Sequence, residues 1–226
     1  MERDSPALRV RGVIFDMDGT LADSMAHYYW IACDIVEQAG APAVSWEQVS
    51  ELMGAGDPEL LRKMLPPDFP DAEATLKRIV RHRFPVWMQA GQQIEPLPGC
   101  VDLLHQLHVR GHKLGIATSS SNALPYLDRW GVRVLFDAII GREDVTRRKP
   151  DPEVVLRCLE ALDIEPGDAV YVGDSMIDIQ AGHAAGLHTV GVLTGTSTRK
   201  VLAEVSPDYI LDDAPKLLEL LYLLNE

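Results

Sequence analysis

Val10-Arg11-Gly12-Val13-Ile14-Phe15-Asp16-Met17-Asp18-Gly19-Thr20 is an apolar, β-branched run that stops abruptly in a polar turn. A strand buried on both faces of a parallel sheet has this character. Similar runs recur at 114–117 (LGIA), 138–140 (AII), 169–172 (AVYV), 189–193 (TVGVL) and 209–211 (YIL). Helical periodicity fills the gaps, at 101–109, 123–130, 152–162, 177–185 and 215–224. The alternation predicts an α/β fold with a doubly wound parallel sheet, because each parallel crossover needs a helix to return the chain. Asp151 and Pro152 mark the start of one helix, and Gly186 marks the end of another.

Between residues 23 and 93 the alternation stops, leaving helical segments at 24–39, 58–65 and 72–88. Residues 23–93 therefore read as a small all-helical domain inserted after the first strand of a core domain made of 1–22 and 94–226. The connections at 21–23 and 92–98 are its natural hinges.

Twenty-one basic against 34 acidic residues give a formal net charge of -13. Such a field repels polynucleotides and anionic lipid, so neither nucleic acid nor a membrane is an expected partner. An anionic small molecule can bind only where local cations override that field. The N-terminal residues carry no apolar stretch of signal-peptide length, and the apolar segment at 217–224 is too short to span a bilayer. Cys33, Cys100 and Cys158 are widely spaced and form no CxxC, which suits buried structural thiols in a reducing cytoplasm. Monomer and homodimer are both compatible with this composition.

Ligands of open α/β sheets bind beyond the carboxyl ends of the strands. Asp16 to Thr20 follow the first strand, and Thr118-Ser119-Ser120-Ser121-Asn122 follow the second. Lys149 precedes the helix at 152, and Gly173-Asp174-Ser175-Met176-Ile177-Asp178 follow the strand at 169–172. Carboxylates gathered at one edge repel one another unless cations bind among them. Hard oxygen donors suit Mg2+, which keeps several waters and is usually completed by substrate phosphate. Lys149 adds a fixed cation, while the Thr118 hydroxyl and loop N–H groups can donate to phosphoryl oxygens. A metal-bound carboxylate stays ionised and can act as a nucleophile, whereas a neighbour off the metal can pass protons.

Asp16-Met17-Asp18-Gly19-Thr20-Leu21, then Thr118, then Lys149-Pro150-Asp151-Pro152, then Gly173-Asp174 with Asp178 resemble, in order, the four motifs of the haloacid dehalogenase-like hydrolases. The helical insertion resembles that superfamily's cap. The resemblance spans the chain and implies a Rossmann-like core and Mg2+-dependent hydrolysis of a small phosphate monoester. On this resemblance Asp16 forms an aspartyl-phosphate, and Asp18 protonates the leaving oxygen and then activates water. Thr118 and Lys149 would bind the phosphoryl group, with Ser119 and Asn122 lining its pocket. Mg2+ would be held by Asp16, the Asp18 carbonyl and Asp174, with Asp178 supporting its water shell or Lys149.

Dehalogenase and phosphonatase relatives lack an aspartate at the position of Asp18. Sugar-phosphate mutases of the β-phosphoglucomutase type carry an acidic residue where Gly173 stands and a cap histidine near Tyr28, so phosphatases of the phosphoglycolate type are the nearer analogy. A receiver-like signalling module also gathers acids, Thr and Lys around a phosphorylated aspartate, yet it needs neither Asp18 nor a cap.

In the insertion, Lys77, Arg78, Arg81, His82 and Arg83 form the densest basic run, with Arg62 and Lys63 nearby. They either pair with a second anionic group on the substrate or form a solvated helix face. His27, Tyr28, Tyr29 and Trp30 stand where they can line the cleft or pack in a core. His105, His108 and His112 read as surface residues. Gly54-Ala55-Gly56 lacks a third glycine at Glu59, so no dinucleotide fingerprint is present.

Overall fold

A computed structural model gives the fold, with residues 8–54, 59–120 and 123–223 described. The expected strand at 10–15 divides into Leu8–Val10 (β1) and Gly12–Phe15 (β2). The break falls at Arg11, whose amide donates to Asp168 O at 2.7 Å. β2 is buried at every residue and lies within a six-stranded sheet completed by Lys113–Ala117 (β3), Ala138–Ile140 (β4), Ala169–Gly173 (β5), His188–Val192 (β6) and Tyr209–Leu211 (β7). The order is β4-β3-β2-β5-β6-β7, and every pairing is parallel. The chain builds outward from β2 to β4 on one side and then returns to build β5 to β7 on the other. The reversal leaves a crevice at the carboxyl ends of β2 and β5.

The period of two along β2 decides which helices cover which face. Val13 and Phe15 join the core formed with Cys100–Val109 (α5) and Ala123–Arg129 (α6), through Leu103, Leu107 and Leu127. Ile14 points to the other face, towards Glu153–Leu162 (α7) and Met176–Ala184 (α8). The buried stripe of α7 is Val154, Val155, Cys158, Leu159 and Leu162, and Asp151 Oδ1 accepts the Glu153 amide at 3.0 Å to start this helix. Gly115 lets α7 approach closely, since a Cβ there would lie 2.5 Å from Cys158 Sγ. Burial pushes the Cys100 and Cys158 thiols up to about 12, so both are inert packing groups.

The insertion contributes Met25–Ala39 (α1), Trp46–Gly54 (α2), Leu60–Lys63 (α3) and Ala72–Gly91 (α4). Their apolar residues form a cluster of their own, including Ile35, Val36, Val49, Leu76, Ile79 and Trp87. Buried Asp34 on α1 accepts from Arg83 Nε at 2.7 Å and Trp87 Nε1 at 2.6 Å, which fastens α1 to α4. Entry and exit run side by side: Leu97 N donates to Leu21 O at 2.8 Å, and Asp23 N donates to Glu95 O at 2.9 Å.

Two segments depart from expectation. Arg199–Glu204 (α9) is helical, capped by the Thr198 side chain accepting from Val201 N. Of the helix expected at 215–224, only Leu217–Leu220 (α10) forms. Leu221–Leu223 (β8) instead pairs in parallel with β1, Leu8 opposite Leu221. A short leucine-rich run fits either period, and the free edge of β1 settled it.

Candidate active site

Asp16 is the first residue past β2, and its amide still donates to Val172 O of β5 at 2.8 Å. The backbone beneath its carboxylate is therefore as fixed as the sheet. Asp18 sits in a turn closed by the Leu21 and Ala22 amides on Met17 O, both at 2.9 Å. Gly19 supplies the left-handed φ of 75° that the turn needs. β3 delivers Thr118, whose amide donates to Ile140 O and whose Oγ1 accepts from Ser120 N, both at 3.1 Å. Asp174 follows β5, and Asp178 lies in the first turn of α8, where its Oδ2 accepts from Ser175 N at 3.1 Å and from the Ser175 hydroxyl. Gly173 makes room for that fold-back, because a Cβ there would fall 2.3 Å from Asp178 Cβ.

Lys149 enters from the loop before α7. Its Nζ donates to Asp16 Oδ1 and Asp178 Oδ1, both at 2.7 Å. Behind it, Glu153 accepts from Thr146 N at 3.1 Å and Arg147 N at 2.9 Å, holding the loop to α7. Those bonds stabilise the ionised form and pull the Glu153 carboxyl down to about 2. Asp16, Asp18, Thr118, Ser119, Lys149, Asp174 and Asp178 border one cleft of about 190 Å3. Asn122 lies outside the described residues.

Within the cleft, Asp16, Asp174 and Asp178 each bring a carboxylate oxygen within 4.8 Å of the others. Burial is the first cause that pushes Asp16 up to about 7; Asp178 adds to it and Lys149 opposes it. Burial, then Asp178 and Asp16, hold the Asp174 carboxyl well above the usual range. Burial also works against the Lys149 ammonium, but Asp16 and Asp178 outweigh it and raise its pKa. Three buried carboxylates facing one ammonium are short of positive charge, and an all-oxygen donor set fits a hard divalent cation. The Asp18 side chain stands outside this triad. Its Oδ2 accepts from the Tyr28 hydroxyl at 3.0 Å, and its buried Oδ1 takes no hydrogen bond among the described residues.

The sequence profile of the haloacid dehalogenase-like hydrolases matches residues 13–192, from β2 through β6. The chain belongs to the haloacid dehalogenase-like hydrolases. It is 31% identical over 217 residues to a phosphoglycolate phosphatase of Vibrio cholerae, covering 93% of this chain and 96% of that one. Among solved structures, a Haemophilus somnus protein described as a predicted phosphoglycolate phosphatase superposes with a TM-score of 0.79 at 23% identity, covering 94% of this chain and 98% of that one. A β-phosphoglucomutase of Clostridium difficile gives 0.77 at 21% identity, covering 92% and 93%. At such identities these two likenesses speak to the fold alone.

This haloacid dehalogenase-like hydrolase also holds its site together with residues that the motif reading passed over. Asp174 Oδ2 accepts from Thr196 N at 2.7 Å and Thr196 Oγ1 at 2.9 Å, and Thr194 Oγ1 donates to Gly19 O at 2.7 Å. The loop after β6 thus clasps Asp174 and the Asp18 turn together. Gly195 is required between them, because a Cβ there would lie 2.0 Å from Asp174 Oδ2. Residues that orient a metal ligand tune its affinity, commonly by ~10–100-fold. Thr196→Val should accordingly weaken divalent-cation binding by roughly tenfold, measured calorimetrically without substrate, and Thr196→Ser should restore it. Unchanged affinity in the valine variant would deny Thr196 this role.

The basic run of the insertion does not reach the cleft. Arg83 is spent on Asp34 at 2.7 Å, while Lys77, Arg78, Arg81 and His82 border a separate open groove with Arg62. α4 turns Leu76, Ile79 and Trp87 inward, so the intervening charges face outward. From the aromatic cluster, Tyr28 lines the cleft, and His27 lines a cavity between α4 and α6. His105 and His108 are exposed as expected, but His112 is buried in the turn into β3.

Proposed function

We propose that this haloacid dehalogenase-like hydrolase is a phosphatase that cleaves small phosphate monoesters through a phosphorylated Asp16, with Mg2+ as its metal. The observation that carries the reading is Lys149 Nζ, 2.7 Å from both Asp16 and Asp178 in a cleft shared with Asp18 and Thr118. Lys149 engages Asp16 Oδ1 and leaves Oδ2 to attack phosphorus. Burial raises the Asp18 carboxyl, which favours a proton there for the leaving oxygen; the resulting carboxylate then takes a proton from water. Tyr28 keeps Asp18 Oδ2 in place, and the Thr118 hydroxyl and Lys149 bind phosphoryl oxygens. Asp16, the Asp18 carbonyl and Asp174, with Asp178 in support, would hold Mg2+, which would supply positive charge for the phosphoryl oxygens.

Residues 23–93 act as the cap domain on a core domain of 1–22 and 94–226, contributing Met25, Tyr28 and Met53 to the cleft wall. The relatives named as phosphoglycolate phosphatases support phosphoryl-oxygen cleavage. Against a mutase, Gly173 has no room for a side chain, and Tyr28 stands at the expected histidine position. All three cysteines are free, which supports a reducing, cytoplasmic setting. No described helix is long and apolar enough to cross a membrane.

Release of phosphate from 4-nitrophenyl phosphate with Mg2+ present, and its loss on chelation, is the direct test. No release at any Mg2+ concentration would rule the reading out. A pH dependence follows as well. Burial pushes the metal-free Asp16 carboxyl up to about 7, so between the ordinary carboxylate range and that value the folded protein holds a proton that the unfolded chain has released. Metal-free stability from this site therefore falls as pH rises through that window. Mg2+ displaces the proton. The rise in Tm caused by Mg2+ should be larger at pH 8 than at pH 5, and equal shifts would contradict the assignment of Asp16 as a ligand.

A further inference from the structure

We infer that Tyr28 is the positioning residue through which the helical insertion aligns the general acid: its hydroxyl, reaching back across the entry hinge, holds one oxygen of Asp18 and leaves the other to face the leaving group. The inference rests on the phosphatase reading above and concerns how its proton-transfer step is set up.

The bond between these residues joins separate parts of the fold. Asp18 belongs to the turn after β2, where Gly19 N donates to Ala22 O at 3.0 Å and the Leu21 and Ala22 amides donate to Met17 O. Tyr28 lies beyond the connection at 21–23, in the first turn of α1. Its amide donates to Ser24 O at 3.0 Å, and farther along the same helix Asp34 ties α1 to α4. Where the insertion sits therefore decides where the Tyr28 hydroxyl sits. The 3.0 Å bond to Asp18 Oδ2 spans that connection.

The neighbouring tyrosine shows the contrast with a purely structural role. Tyr29 packs on the insertion's own apolar cluster, and its hydroxyl donates to Val44 O at 3.1 Å within the insertion. Tyr28 instead borders both the cleft and a cavity of about 200 Å3 between α1, α4 and α6. Its hydroxyl goes to the cleft carboxylate that stands outside the acidic triad.

That hydrogen bond also sorts the two oxygens of Asp18. A phenol donating to Oδ2 makes that oxygen the acceptor, so the proton of the neutral acid sits on Oδ1. Oδ1 is buried and takes no hydrogen bond among the described residues, which leaves its proton for the substrate. Turning the carboxyl about its last torsion would exchange the oxygens, and the Tyr28 bond opposes that turn. The hydroxyls of Ser24 and Ser120 stand near the same carboxylate and are the other groups able to restrain it.

The protons balance without another reactant. As the ester P–O bond breaks and the Asp16 O–P bond forms, the Oδ1 proton passes to the departing oxygen. Water then attacks phosphorus and returns a proton to Oδ1 as the Asp16 O–P bond breaks. Tyr28 keeps its own proton throughout.

Tyr28→Phe removes the hydroxyl and keeps the ring. The test measures kcat/KM on the full-length protein with Mg2+ for 4-nitrophenyl phosphate and 4-methoxyphenyl phosphate. The esters are alike in shape, but the methoxyphenolate is the stronger base and depends more on a proton as it leaves. Because kcat/KM reports steps up to the first phosphoryl transfer, the ratio of nitro to methoxy ester reads the acid's contribution. That ratio should rise at least ~5-fold in the variant, a part of the ~10^2–10^4-fold that acid–base catalysis typically contributes. A smaller rise would overturn the inference and leave the phosphatase reading standing. If both rates fell together, Tyr28 would be part of the cleft wall alone; if neither fell, Ser24 and Ser120 would suffice to hold Asp18. A wild-type protein that hydrolysed only the nitro ester would have no aligned acid, which would also overturn the inference alone. Failure of the wild type to hydrolyse either ester would overturn both.

Discussion

Asp16→Asn should reduce kcat for phosphate release by roughly 10^4-fold or more, the scale of loss when a covalent nucleophile is removed from a site that acts as a unit. The amide matches the carboxylate in shape, so the β2 turn and the Asp16 amide bond to Val172 O are preserved. What disappears is the nucleophilic oxygen and one of two anionic partners of Lys149. Burial already holds the Asp16 carboxyl at about 7, so a neutral group at this position is tolerated by the fold. The variant should therefore show a Tm near that of the wild type without metal, and a smaller Mg2+-induced rise. Single-turnover phosphate release measures the effect, and a variant retaining a tenth of wild-type kcat would remove Asp16 from the chemistry.

Lys149→Met carries the second large effect, and it falls on stability as well as on rate. Lys149 is 5% exposed and is the ammonium that Asp16 and Asp178 share. Breaking a buried pair by removing one partner typically costs ~3–5 kcal/mol, because the remaining charge is left uncompensated. The stranded carboxylates can relieve that penalty by taking up protons, so urea unfolding should show a larger loss at pH 8 than at pH 5. Loss of one donor to the phosphoryl oxygens should lower kcat by at least ~10^2–10^3-fold. Lys149→Arg should not rescue it, since the planar guanidinium does not fit a buried site shaped around a compact ammonium. Wild-type-like unfolding at pH 8 together with kcat/KM within threefold of wild type would show that the ion pairs are incidental.

The parallel sheet was legible because strands buried on both faces need apolar, β-branched runs, and Gly12–Phe15 and Ala169–Gly173 provide them. The acidic edge was legible because Asp16 and Asp174 leave those strands directly and Asp178 follows within the first turn of α8, so chain position brings them together. Thr194 and Thr196 also follow a strand, β6, but small hydroxyls at a loop carry no charge signal. Met25 and Met53 escaped for a different reason: an apolar residue facing a cleft looks the same in sequence as one facing a core. Conversely, the charge density at 77–83 drew attention that geometry does not support, because a basic run says nothing about which side of α4 meets the site. The leucines at 217–223 divided between α10 and β8 through pairing with β1, a contact distant in the chain.

The paired strands of chain at Leu21–Asp23 and Glu95–Leu97 bring the two ends of the helical excursion into hydrogen-bonding contact. Loop-closure entropy grows only with the logarithm of loop length, so the sheet is nearly indifferent to how much polypeptide is spliced between those points. Evolution can therefore replace this segment as an exchangeable cassette, retuning what the catalytic edge accepts without re-laying a single strand beneath it.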